Sequence, residues 1–103
     1  MRIKRTREFD KWLKTLHDRI GQGRIVFALR RWEVKNEIVG DTRYLGDGVS
    51  ELRIHYGPGY RVYYAKRERT VVLLVFGGDK SSQRRDIEKA KAIFARLQER
   101  GEI

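Results

Sequence analysis

The stretch ELRIHYGPGYRVYYAK, residues 51–66, gathers the side chains of this sequence best suited to act on a phosphodiester: Arg53, His55, Arg61 and Tyr63. Gly57-Pro58-Gly59 is a strong turn signal, and the residues on either side alternate in the manner of half-buried strands. A turn pivoting about Pro58 makes Tyr56 face Tyr60, His55 face Arg61, Ile54 face Val62, Arg53 face Tyr63 and Leu52 face Tyr64. Side chains alternate sides along a strand. One face then carries Leu52, Ile54, Val62 and Tyr64 with Tyr56 and Tyr60, and the other carries Arg53, His55, Arg61 and Tyr63. Guanidinium groups bind phosphate oxygens bidentately and stabilise developing negative charge. Histidine exchanges protons near neutral pH, and tyrosine stacks on a base or donates a hydrogen bond. A slip of one residue in the pairing exchanges the two faces and turns Tyr56 outward. Replacing Glu51, on the same strand, is expected to slow chemistry on a phosphodiester less than replacing Arg61 or His55.

A second group lies in Gly77-Gly78-Asp79-Lys80-Ser81-Ser82-Gln83, between an apolar strand and a helix. Backbone N–H groups at such a junction can hold an anion. The spacing is not that of a Walker A loop, so Lys80 gains meaning only if the sheet brings it beside the basic face. Other chemistries fail on inventory. His17 and His55 sit in different elements, no Cys is present, and neither an HExxH, a GxSxG nor a dinucleotide fingerprint occurs. No metal or cofactor is therefore expected. The residues present suit RNA transesterification, in which the substrate's own 2′-OH is the nucleophile.

The elements that must hold these groups follow from periodicity. Residues 2–5 open with a short strand. From Thr6, an N-cap residue, Phe9, Trp12, Leu13, Leu16 and Ile20 fall on one helical face, and Gly21 and Gly23 interrupt it. Ile25, Ala28, Leu29 and Trp32 mark a second helix, with Arg24, Arg30, Arg31 and Lys35 on its opposite face and Asn36 at its end. Gly46-Asp47-Gly48 marks a turn. Val49–Tyr56 and Tyr60–Lys66 read as strands, and the uniformly apolar run Val71–Phe76 reads as a strand covered on both sides. A last helix, capped by Ser81 or Ser82, buries Ile87, Ala90, Phe94 and Leu97 and stops at Gly101. The fold class is α+β: an N-terminal helical hairpin on a mostly antiparallel sheet of about four strands, plus a C-terminal helix.

At 103 residues the chain makes one domain, 1–103. Its 24 Lys and Arg against 14 Asp and Glu give a net charge of +10. Each half carries 12 basic and 7 acidic residues, so the excess belongs to the folded domain rather than to a detachable tail. Such a field attracts polyanions. The start MRIKRTREFDKW lacks a signal peptide's apolar run, and Val71–Phe76 is too short to cross a bilayer. A cytoplasmic location away from the membrane is expected.

The strings GDGVSELRIHYGPGYRVYY, TVVLLVFGGDKSSQ and DIEKAKAI resemble the addiction-module killer proteins, a HigB-like branch of the RelE/ParE toxin superfamily, and the likeness runs along nearly the whole chain. The resemblance implies a RelE-like fold and the toxin of a type II toxin–antitoxin system, neutralised by a cognate antitoxin expected to carry a helix-turn-helix domain. It further implies a ribosome-dependent endoribonuclease acting on mRNA. Arg61 matches the arginine after the Gly-Tyr of RelE-like toxins, and Arg53 and Lys80 fall near their other basic positions. Glu51 departs from the pattern, standing where RelE has a lysine, and the C-terminal tyrosine of RelE has no counterpart. The catalytic candidates are thus Arg53, His55, Arg61 and Lys80; Tyr56, Tyr63, Arg30 and Arg31 are the RNA-binding candidates. The proton-transfer role stays open among His55, Tyr56 and Tyr63. Two alternatives accompany this reading: a ParE-like toxin that binds DNA gyrase without catalysis, and a degenerate nucleic-acid-binding relative.

Overall fold

A computed structural model describes residues 1–102. In chain order the elements are β1 (Arg2–Arg5), α1 (Arg7–Lys14), α2 (Arg19–Lys35), β2 (Asp41–Gly46), β3 (Val49–Ile54), β4 (Tyr60–Glu68), β5 (Val71–Gly78), a single 3-10 turn at Lys80–Ser82 and α3 (Gln83–Glu99). The five strands form one mixed sheet in the order β1-β5-β4-β3-β2. Three neighbouring pairs are antiparallel, while β1 runs parallel to β5 with Arg2 opposite Val71 and Arg5 opposite Leu74. The expected count of about four strands is therefore one short, because β2 has no apolar alternation to announce it. Its residues Asp41 to Tyr44 are all exposed on the sheet's outer edge.

The two faces of the sheet bury different helices. Leu52, Ile54, Tyr60, Val62, Tyr64, Val72 and Leu74 pack beneath Phe9, Leu13, Ile25, Leu29 and Trp32 of α1 and α2. The Trp32 and Tyr64 rings meet edge-on at 4.9 Å between centroids, a favoured aromatic geometry. On the opposite face Val49, Tyr63, Ala65, Leu73 and Val75 pack against Ala90, Ile93 and Phe94 of α3. This explains the unbroken apolar run of β5, whose alternate residues enter two separate cores.

Thr6 ties the first helix to the sheet. Its Oγ1 accepts from the Phe9 N–H at 2.9 Å and donates to the Val75 carbonyl at 2.6 Å. The first helix is shorter than its periodicity predicts. It stops at Lys14, and Asp18 starts the next by accepting from the Gly21 N–H at 2.9 Å. Gly21 and Gly23 thus lie inside α2 rather than between helices, and Ile20 points outward at 63% exposure. The cap decides the boundary here, since a good N-cap stabilises a helix start by about 1 kcal/mol.

At Gly77 the first helix comes close to the sheet. A Cβ at this position would run into the Trp12 ring, at Cε3 and Cζ3. Gly77→Ala is accordingly expected to lower stability by about 1–3 kcal/mol, the usual range for an overpacked interior. Urea unfolding of the variant beside the wild type measures this directly.

Candidate phosphate-binding site

The hairpin between β3 and β4 turns one residue earlier than the Pro58 pivot would place it. Ile54 lies opposite Tyr60, Arg53 opposite Arg61, Leu52 opposite Val62 and Glu51 opposite Tyr63. A five-residue connection, 55–59, replaces the tighter turn, and the Gly59 N–H donates to the Tyr56 carbonyl at 3.0 Å. Parity is preserved, so the apolar and charged sets keep their faces. What changes is adjacency: Arg53 and Arg61 stand directly across from each other, and His55 leaves the strand.

Two like charges directly opposite on a sheet repel. The compensation is Glu51, fully buried on the same face. Its Oε2 accepts from Arg53 Nε at 3.0 Å and faces Arg43 Nη2 at 3.5 Å. Its Oε1 accepts from Gln83 Nε2 at 3.1 Å and lies 3.9 Å from Arg61 Nε. One carboxylate thus orients three guanidinium groups drawn from three adjacent strands. Arg61 is the most enclosed of them, with 10% of its side chain exposed against 30% for Arg53 and 55% for Arg43. Its Nη1 donates to the Gly59 carbonyl at 2.6 Å. Among the described residues, Arg61 Nε and Tyr63 Oη are the buried side-chain polar atoms without a hydrogen-bond partner.

Lys80 reaches the same corner through the backbone. Its N–H donates to the Pro58 carbonyl at 3.3 Å. A Cβ on Gly59 would come within 3.1 Å of Arg61 Nη1 and 3.5 Å of Lys80 Cβ, so Gly59 sits between the two. The Asp79 side chain accepts from the Ser81 N–H at 2.8 Å and fixes the turn that carries Lys80. The sheet therefore brings Arg53, Arg61 and Lys80 together, as a basic corner over a buried acid. His55 lies at its rim, exposed, with Nε2 2.6 Å from Asp41 Oδ2. Asp41 is opposite Arg53 on β2, so the row Asp41, Arg53, Arg61 crosses the sheet. When the Nε2 proton points at that carboxylate, Nδ1 is left as the acceptor that a proton transfer needs.

The tyrosines take other places. Tyr63, expected on an open polar face, is fully buried because α3 covers that part of the sheet, and burial pushes its hydroxyl pKa up. Tyr56 is half-buried on the helical side, with the Arg24 guanidinium stacked 4.7 Å above its ring. Arg30 and Arg31 are exposed on α2, which packs on the sheet face opposite the basic corner. Sequence reasoning missed Arg43, Asp41 and Gln83 and undervalued Glu51. The available signal was the Glu-x-Arg spacing on β3, which puts opposite charges side by side on one face.

The loop beside Arg61 is anchored through Tyr60, whose hydroxyl donates to Asp18 Oδ2 at 2.8 Å. Burial, then this bond, raises the Tyr60 pKa from 10.0 to about 12. Below pH 10 folded and unfolded chains both hold the proton, and the full contribution to stability is present. Above it the unfolded chain releases the proton first, so stability is expected to fall as pH rises toward 12. Denaturant unfolding at stepped alkaline pH checks this, and Tyr60→Phe should flatten the decline.

The residues from 7 to 98 match the family described as phage-derived protein Gp49-like (DUF891). The chain belongs to this family. Gp49-like proteins are generally toxin-like members of addiction modules, related to RelE. A relative from Haemophilus influenzae strain Rd, described only as an uncharacterized protein, is 39% identical over 97 residues, spanning 94% of this chain and 96% of its own. No solved structure matches this Gp49-like chain. No helix among its described residues is long and apolar enough to cross a membrane.

Proposed function

We propose that this Gp49-like protein is the toxin of a type II toxin–antitoxin pair and that it cuts mRNA on the ribosome, in the cytoplasm. The observation that carries the reading is the basic corner: Arg53 and Arg61 held opposite each other by a fully buried Glu51, with Lys80 beside them. Preoriented donors of this kind favour the extra negative charge of a phosphorane over the ground-state diester. The 2′-OH of the substrate attacks the adjacent phosphorus, the bond to the 5′-oxygen breaks, and a 2′,3′-cyclic phosphate and a 5′-OH result. Arg61 and Arg53 stabilise the equatorial oxygens, Lys80 adds charge, and His55 is placed to move a proton at the rim. The protein supplies charge and proton transfer, while the nucleophile belongs to the RNA.

The partner in this reading is a cognate antitoxin with a helix-turn-helix domain, which restores growth when supplied. Brief induction followed by primer extension on a reporter mRNA, with and without a functional start codon, tests the proposal. New 5′ ends within the translated message, absent when translation is blocked, are expected. Growth arrest with intact messages and halted DNA replication would replace the ribonuclease by a gyrase-binding toxin.

A further inference from the structure

Helix α2 is apolar on two sides, and the sheet satisfies only one of them. Ile25, Leu29 and Trp32 enter the core. On the outside Ile20, Phe27 and Val34 follow each other at seven-residue spacing and are 63%, 65% and 80% exposed. Seven residues are two helical turns, so the three form one line along the helix rather than scattered exposures. A helix apolar on both sides is ordinarily covered on both. Gly23 lies on the same side, between Ile20 and Phe27. A Cβ there would meet nothing within 4 Å, so packing within the chain does not call for a glycine. Glycine also weakens a helix interior relative to alanine; what it permits is close approach by another backbone.

The charges beside the line say what would cover it. Arg30, Arg31 and Lys35 flank Phe27 and Val34, and α2 as a whole has five basic residues to one acidic. A second copy docking symmetrically would bring these cations against themselves. We infer that the Ile20–Phe27–Val34 face of α2 is the docking surface for an acidic amphipathic helix of a partner protein, with apolar residues at seven-residue spacing and carboxylates beside them. This inference does not draw on the basic corner, and a chain that failed to cut RNA would keep it.

The test titrates the full ¹⁵N-labelled chain with a synthetic three-heptad peptide, Leu in the seam and Glu beside it, and with a twin carrying Lys in place of Glu. The Glu peptide is expected to shift α2 amides around Gly23, Phe27 and Arg31, and the Lys twin to bind at least about tenfold more weakly. Phe27→Ser and Val34→Ser, each folded by thermal unfolding because both side chains are exposed, should each weaken the Glu peptide by about tenfold or more. The double variant Arg30→Glu, Arg31→Glu should reverse the preference between the two peptides. Four results overturn the inference: no shifts on α2, shifts confined to the Arg53–Arg61 corner, unchanged affinity in both serine variants, or a homodimer in sedimentation that Phe27→Ser dissolves.

Discussion

Arg61→Ala is expected to slow RNA cleavage by about 10²–10³-fold, the loss typical of one preoriented donor to a developing oxyanion. Its guanidinium is the most enclosed of the three around Glu51, and its Nε has no hydrogen-bond partner in the free protein. A donor already removed from water and still without a hydrogen bond has most to gain when a phosphate arrives. The fold should survive. The substitution removes a charge-assisted bond to the Gly59 carbonyl, worth about 1.5–3 kcal/mol, together with the 3.9 Å ion pair to Glu51. Glu51 keeps Arg53, Arg43 and Gln83. Arg61→Lys should recover only part of the rate, because an ammonium lacks the planar fork. Single-turnover cleavage of ribosome-bound mRNA, with thermal unfolding of each variant, measures both quantities. A stably folded Arg61→Ala protein cutting at the wild-type rate would remove the basic corner from the mechanism.

Glu51→Ala should be the more damaging change for the fold. It strips the shared counter-charge from three guanidinium groups and leaves Arg53 and Arg61 opposed with no carboxylate beside them. Breaking a buried ion pair by deleting one partner costs about 3–5 kcal/mol. The lower end applies here, since Arg43 and Arg53 can rehydrate at the surface while Arg61 cannot. Against a total stability of about 5–15 kcal/mol for a domain, that is a large share. Glu51→Gln should lose less, because an amide oxygen still accepts from Arg53. Equilibrium urea unfolding orders the series: wild type, Glu51→Gln, Glu51→Ala. Equal stability of all three would show that the arginines orient themselves without the acid. The sequence ranked Glu51 low for cleavage and carried no expectation of its part in the fold, which its burial supplies.

The structural part of Glu51 shows what the sequence could carry. Periodicity located α2, α3 and strands β3 to β5, and it sorted the hairpin's side chains onto the correct faces, because burial imposes a period on residue types. Strand β2 was invisible for the same reason: Asp41 to Tyr44 lie exposed on an edge and need no alternation. The signal that was present was the pair Asp47-Gly48, both at positive φ, a two-residue hairpin turn that demands a strand on each side. Missing β2 meant missing Arg43 and Asp41, and so missing what His55 and Glu51 hold. The cover over Tyr63 was equally out of reach, since no local pattern says which face a distant helix will choose. Arg53, Arg61 and Lys80 were legible because the first two share one face of the hairpin and the third directly follows the apolar strand β5.

The parallel pairing of β1 with β5 sets an order of events in the making of the protein. Strands β2 to β5 close through short turns, whereas Arg2 must find Val71, and closure entropy rises by about 0.6 kcal/mol with each doubling of the loop. Contacts this distant in sequence form late and slow folding. During synthesis the first strand waits until β5 has left the exit tunnel, and Lys80 and Gln83 follow later still. An unfinished chain therefore lacks both its sheet edge and part of its basic corner until its last quarter has emerged.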